Sequence, residues 1–426
     1  MTKVSLLATV PLLLFGLSKI YAADQTLQYA SITSVSRIIP VSSTYYTINP
    51  IVRLDGPYYV FQITSASGES FEVKGISELI NTCHEISVIE AFRATPQGNE
   101  VWKGTKGYVG GVAKGTKGIV IHPGDAGAAM GETVARTGRT LGRAVTGLFK
   151  KDPKSSTGAD LSKGAGGIAG EQARMAAYEL HLNVYSKNPC VQDTLSSIAH
   201  KRWAGTLGVL AMGMVIPGSP LVARLIRGAV ISSAYDDGIE LMIRDNSAPE
   251  LNHKLQEIAE DQYRFDKKSP EMTSFCAFLD NPNYTPYQKA YVAFYVQHFL
   301  STDHRADMLQ AFASTTTVEN AEILFSQLQL LCSYHRFIKP IRGFSVNQER
   351  VAGILSDGTI LLVLPYDYAD DTKHMNSELS GFSSKGRSVE LWLLGGATER
   401  FEALAKKYNV RAIHCDMFNN PAFQSK

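Results

Sequence analysis

The pattern of apolar and polar positions in the N-terminal part of the chain, residues 27–74, reads as β-rich. Tyr58-Tyr59-Val60-Phe61-Gln62-Ile63-Thr64 and Ser70-Phe71-Glu72-Val73 are strand-like, and Ser67-Gly68 between them is a turn signal. The pattern predicts a small antiparallel sheet. From residue 76 to about 93 the spacing becomes helical, with Leu79, Cys83, Ile86, Ile89 and Phe92 recurring every three or four residues. Residues 165–338 keep helical spacing throughout, and their helix starts are marked. Ser269-Pro270 and Thr285-Pro286 place a capping hydroxyl before a proline, and Ser247 precedes Glu250 at the capping-box interval. Thr317 opens a helix carrying Ala321, Leu324, Phe325, Leu328 and Leu331, and short turns between such helices imply antiparallel packing.

The last 85 or so residues return to strands. Two apolar runs flank Ser356-Asp357-Gly358, a hairpin signal, and residues 389–394 read as a buried strand. Residues 371–382 and 398–408 are predicted helices, and residues 410–414 a closing strand. The predicted fold is α+β and multidomain: a small N-terminal antiparallel sheet, a mainly helical middle and a small C-terminal α/β unit. The boundaries fall at a leader of residues 1–22, a β-rich domain with a helix over 23–97, and a basic glycine-rich segment over 98–164. A helical domain over 165–340, an α/β domain over 341–420 and a tail of 421–426 follow.

The leader is a secretory signal by three features. Lys3 is a positive start, residues 4–17 are uncharged and apolar, and Ala22 gives a small residue before a cut at Ala22/Ala23. About 14 apolar residues are too few to span a bilayer, which needs roughly 20. The expectation is therefore an exported protein, in the periplasm or outside the cell, with peripheral contact at a membrane as one version; an uncleaved anchor or a buried N-terminal element are the alternatives. Export also frames Cys83, Cys190, Cys276, Cys332 and Cys415. With no CxxC spacing they suggest neither a disulfide framework nor a zinc site, and they read as buried thiols or as occasional disulfides, at least one remaining free.

Net charge is only +2, but it is unevenly distributed. Residues 101–163 hold 11 Lys/Arg against 4 Asp/Glu, and 17 of the 35 glycines fall between 101 and 170. On a helix over residues 127–150, Gly127, Gly131, Ala135, Gly138 and Gly142 share a sector from 0° to about 80°, and Met130, Val134, Leu141, Val145 and Leu148 one from about 300° to 360°. Arg136, Arg139, Arg143 and Lys150 occupy about 120° to 180°. A small-residue face admits close helix packing, and an arginine stripe beside an apolar face suits anionic lipid headgroups. The glycines Gly131, Gly138 and Gly142 cost roughly 3 kcal/mol together, so such a helix forms only when docked. It is read as a segment packed on its own protein, as a contact with an anionic membrane surface, or as a contact with another envelope protein or a second copy. Trp102, Tyr108 and Phe149 are too few aromatics for a nucleic-acid partner. A second apolar run, residues 203–223, is 21 residues without a charge, but Pro217-Gly218-Ser219-Pro220 interrupts it, favouring a buried helix over a span.

Catalytic signatures are sparse. The sequence has no HExxH, no GxSxG and no P-loop, and Gly164-Ala165-Gly166-Gly167 lacks the preceding strand that a dinucleotide site needs. Asp236, Asp237 and Glu240 are read as a solvated helix face or a metal site, the former favoured because no histidine is near in sequence. Asp367, Asp370, Asp371 and His374 follow a strand, where α/β sheets bind ligands, and Gly395-Gly396 begins a strand-to-helix turn whose N–H groups suit an anion. Asp367, Asp370, His374, Gly395 and Gly396 are thus candidate ligand residues, with turn and cap roles as the alternative. No catalytic residue, cofactor or metal is assigned. The leading expectation is a non-catalytic envelope protein working through contacts of its basic segment; the alternative is a hydrolase or small-ligand-binding protein with its site at the C-terminal strand ends.

Asn188-Pro189-Cys190-Val191-Gln192-Asp193-Thr194-Leu195, Asn281-Pro282-Asn283-Tyr284-Thr285-Pro286, Leu361-Leu362-Val363-Leu364-Pro365-Tyr366-Asp367-Tyr368 and Glu390-Leu391-Trp392-Leu393-Leu394-Gly395 resemble, in this order, segments of a family of exported bacterial proteins of unknown activity. The resemblance implies export and a shared architecture over most of the chain. It carries over no activity and no catalytic residue. Leu182-Asn183-Val184-Tyr185-Ser186-Lys187 departs from the glycine and aspartate that the family has there.

Overall fold

The computed structural model describes residues 29–31, 40–96, 98–99, 101, 168–203, 233–347, 349–383, 387–393 and 395–414. The fold is α+β, as expected. Strands β1 (Tyr29–Ser31), β2 (Tyr46–Ile48), β3 (Ile51–Asp55), β4 (Tyr58–Ser65) and β5 (Ser70–Lys74) form an antiparallel sheet. In its centre β4 pairs with β5 on one side, while β2 and β3 lie end to end along the other: Val60 faces both Arg53 and Lys74, and Ile63 both Ile48 and Phe71. Alternation along β4 puts Tyr59, Phe61 and Ile63 against helix α1 (Ile76–Ala94), whose Leu79, Ile80, Cys83 and Ile86 complete that core.

The helical middle comprises α2 (Ile168–Glu179), α3 (Pro189–Trp203), α4 (Ser233–Asp245), α5 (Ala248–Asp261), α6 (Pro270–Asp280), α7 (Pro286–Gln297), α8 (Arg305–Ala313) and α9 (Val318–Phe337). The marked starts form as read. Ser269 accepts from the Met272 N–H at 3.1 Å, Thr285 from Gln288 at 3.2 Å and Thr317 from Asn320 at 3.2 Å. Glu250 in turn accepts from the Ser247 N–H at 2.8 Å. Nine of the twelve residues of α7 are buried, so it has no polar stripe and runs through the centre of the bundle.

The C-terminal part contains β6 (Ile341–Asn347), β7 (Arg350–Leu355), β8 (Ile360–Leu364), β9 (Tyr368–Ala369), α10 (Lys373–Ser383), β10 (Val389–Leu393), β11 (Gly396–Ala397), α11 (Glu399–Lys407) and β12 (Val410–His414). Its five-stranded sheet runs β12-β10-β8-β7-β6, parallel from β12 to β8 and antiparallel from there to β6. All five residues of β8 are buried, because both faces of this sheet are covered. Leu361 and Val363 face the helical middle, while Ile360, Leu362 and Leu364 face α10 and α11. The largest core therefore runs continuously from the end of α1 through α2–α9 into β6, β7 and β8. Gln327 of α9 donates to the Val363 carbonyl at 2.9 Å, and Tyr334 meets Trp392 edge-on at 5.0 Å across this contact.

Among the described residues no helix is long and apolar enough to cross a membrane. The expected signal, the helix over 127–150 with its arginine stripe, and the apolar run after Trp203 lie outside the described residues.

Candidate functional site

The acids after β8 and the glycines after β10 do meet. Asp367 lies between the N-terminal sheet and the C-terminal unit, only 3 % exposed. Its Oδ2 accepts the Tyr59 N–H at 3.0 Å and the Ile76 N–H at 3.1 Å, and Oδ1 accepts the same Ile76 N–H at 3.0 Å. Ile76 is the first residue of α1, and Gly75 before it has no side chain to cap with. Asp367 therefore supplies the N-terminal acceptor of α1 from 291 residues away. Gly75 itself has φ +96°, a backbone shape that side chains resist, and a Cβ there would sit 3.8 Å from Oδ2. Burial pushes the Asp367 carboxyl from 3.8 up to about 7, against the pull of the Ile76 and Tyr59 N–H groups.

Gly395 belongs to the same joint. A Cβ on it would fall 1.8 Å from the Asp367 carbonyl oxygen, so only glycine lets the two backbones pass. Next to it β9 and β11 form a two-residue parallel pair, and the Tyr368 N–H donates to the Pro57 carbonyl at 3.0 Å. Aromatic contacts seal the seam: Tyr58 meets Tyr366 edge-on at 5.7 Å, and Tyr59 lies 6.2 Å from Tyr368.

Asp370 lies further out. It accepts from the Thr398 hydroxyl at 2.7 Å and from Arg400 at 2.8 Å. The N-terminus of α11, the expected anion site behind Gly396, is capped by Thr398, which accepts the Phe401 N–H at 3.0 Å, and it carries Glu399 and Glu402 in its first turn. Acids already surround those N–H groups, which disfavours a second anion. His374 is in the first turn of α10, and the placement of its side chain lies outside the described residues. Chemically, this arrangement ties elements together: one carboxylate is buried beneath two backbone donors and another is held by a hydroxyl and a guanidinium.

A buried polar group beside the joint was not legible as a site. Arg350 of β7 and Glu378 of α10 pair at 2.7 Å with side chains 6 % and 2 % exposed, and the Tyr366 hydroxyl donates to the same Glu378 oxygen at 3.1 Å. Burial, then the Glu378 charge, raises the Tyr366 hydroxyl above its ordinary range. One signal was available: Met375, Glu378, Leu379 and Phe382 recur at i, i+3, i+4 and i+7, placing an acid within an inward stripe. Another was the bare Lys74-Gly75 start of α1, a helix without a capping side chain of its own.

The other sequence landmarks take structural roles. Asn281 donates from Nδ2 to the carbonyls of Phe312, Ala313 and Thr315 at 3.2, 3.1 and 2.9 Å, closing the end of α8, while Asn283 also reaches Thr315. Asn188 accepts from the Cys190 N–H at 3.0 Å and donates to Glu85 at 3.1 Å, fixing the start of α3 against α1. Cys83, Cys190, Cys276 and Cys332 are free thiols, and Cys415 lies outside the described residues. Burial pushes the Cys83 and Cys332 thiols up to about 12; burial and then Glu69, which accepts from Cys190 at 3.0 Å, raise the Cys190 thiol. None of these three is poised as a thiolate nucleophile.

Glu240 lies 4.0 Å from His181, the side chains of Asp236 and Asp237 are outside the described residues, and no group of three potential metal ligands occurs among those described. A pocket of about 30 Å³, lined by Arg174, Tyr178, Asn183, Glu240, Arg244 and Tyr287, has room for a water or two. Arg136, Arg139, Arg143 and Lys150, and the packing residues Gly127, Gly131, Ala135, Gly138 and Gly142, lie outside the described residues. Compared with known proteins, the chain matches no family model, no curated protein and no solved structure.

Proposed function

We propose that the chain is an exported envelope protein that works by contact, with no chemistry of its own. Its basic glycine-rich segment meets an anionic membrane surface, or else a partner envelope protein or a second copy. The observation that carries this reading is the charge distribution: 11 cationic against 4 acidic residues over 101–163, in a chain whose total is only +2. The described residues support it in two ways. The acids Asp367 and Asp370, candidates for a ligand site, are engaged in holding elements together. Val101 and Ala173, on either side of residues 102–167, also belong to one and the same core.

Flotation with anionic and with neutral liposomes tests the membrane version. Wild type floats with anionic vesicles alone, and changing Arg136, Arg139, Arg143 and Lys150 to Gln lowers the bound fraction several-fold. Equal binding by wild type and variant removes the lipid contact, and cross-linking to an envelope extract or to itself then decides whether a protein partner takes its place.

A further inference from the structure

We infer that Asp367 is a proton-operated latch between the N-terminal sheet with α1 and the C-terminal unit, tight when its carboxyl is neutral and loosened when it ionises. The geometry admits the neutral form, although the N–H donors by themselves favour the ionised one. Oδ2 alone reaches both the Tyr59 and Ile76 N–H groups, at 3.0 and 3.1 Å, so Oδ1 can carry a proton without leaving either donor unsatisfied. The ionised form has no cation of its own among the described residues. The surrounding cations are already paired: Lys74 with Asp55 at 2.9 Å, Arg350 with Glu378 at 2.7 Å, Arg400 with Asp370 at 2.8 Å, and Lys187 with Glu322. The other titratable groups at the joint are Tyr58 and Tyr59 of β4, Glu78 of α1, Tyr366 and Tyr368, and none of these supplies positive charge. On the far turns of α1, Arg93 is paired with Glu90 at 2.7 Å, and the side chains of Lys373 and His374 of α10 lie outside the described residues. Burying an uncompensated carboxylate is costly, and the N–H donors with the positive end of α1 offset only part of that.

The position makes this a coupling device. Asp367 holds the first turn of α1, the start of β4 and, through the Gly395 crossing, the β9–β11 pair, so one proton acts on three elements at once. The sign follows from linkage. A buried acid whose value in the closed joint is raised from 3.8 to about 7 keeps its proton while the open joint has lost it. The stabilisation is therefore complete below about 4 and is lost as pH rises through about 7.

Native-state hydrogen exchange of the Tyr59 and Ile76 amides, corrected for intrinsic rates, tests the latch between pH 5 and 9. In wild type, protection of both amides falls about 100-fold over that range, most of it between pH 5 and 7 where opening releases one proton, and levels off above pH 7. In Asp367→Asn, which retains an acceptor oxygen but cannot ionise, the corrected protection is flat. A flat wild-type profile, or the same slope in the variant, overturns the proposal. Should the variant not fold, the carboxyl carbon of Asp367 is titrated by NMR in the wild-type protein. A midpoint near 7 supports the latch, and one at or below 4 removes it.

Discussion

The helices of the middle and the helix beside the N-terminal sheet begin in opposite ways. In the bundle, α6, α7 and α9 are capped by Ser269, Thr285 and Thr317, each the residue immediately before its helix. Helix α1 starts at a glycine and takes its acceptor from Asp367, 291 residues along the chain. A local cap stops one helix and does nothing else. A distant cap stops a helix and docks a domain, because forming it requires the two parts of the chain to be together. The closing of α8 falls between these cases, with Asn281 reaching carbonyls that begin 31 residues away. The three arrangements form a series in which the energetic consequence of a cap should grow with the number of elements it joins.

The strongest way to break that comparison is Asp367→Ala. It strands two buried backbone donors and uncaps α1, at roughly 1–3 kcal/mol per buried unsatisfied group, so the loss should be about 4 kcal/mol. Urea unfolding should show it as a lowered midpoint, and exchange should show the N-terminal sheet opening before the helical middle. A loss near 1 kcal/mol would mean that the joint is held by its aromatic seam, Tyr58 with Tyr366 and Tyr59 with Tyr368, and that the carboxylate is incidental.

This division also explains what could be read in advance. The bundle helices were legible because their signals are written within four residues of where they act, as in Ser269-Pro270 or Ser247 with Glu250. Strands β4 and β5 were legible from alternation and the Ser67-Gly68 turn, and β7 and β8 from the Asp357-Gly358 hairpin. The joint was not. Asp367 and Gly395 stood out as residues at strand ends, but their chemistry depends on what lies across from them. A carboxylate facing open solvent and one beneath the Tyr59 and Ile76 amides have the same sequence neighbours. The fully apolar β8 likewise shows no alternation, so its pattern could not say that α9 covers one face and α10 with α11 the other. Arg350 was hidden for a related reason: its partner Glu378 lies on α10, 28 residues along the chain.

The middle of the series is sharpened by Asn281→Ala. Its amide donates to the last carbonyls of α8 and to Thr315; Thr315 keeps the Asn283 amide and Phe312 the Thr315 N–H, so the loss falls mainly on the Ala313 carbonyl and should cost about 2 kcal/mol. The effect should appear in global stability, read as the urea midpoint, with the N-terminal sheet unaffected until the bundle unfolds. Early opening of that sheet in this variant would show that the two regions are more tightly coupled than the Asp367 joint alone explains.

The smallest effect belongs to the most legible residue. Ser269→Ala removes one capping oxygen from the Met272 N–H at a partly exposed helix start, where water can replace it, and Pro270 still sets the first turn. The expected cost is about 1 kcal/mol, as for other hydroxyl caps, read as a small drop in the urea midpoint with unchanged slope. This variant is the control on which the whole ordering depends. If it destabilised the protein as much as Asp367→Ala, the consequence of a cap would reflect only the helix it ends. The distance between partners would then carry no weight. If instead the three losses fall in the order Asp367, Asn281, Ser269, the interactions least visible in the sequence are the ones that join its parts, since a contact can join two regions only by connecting residues far apart along the chain.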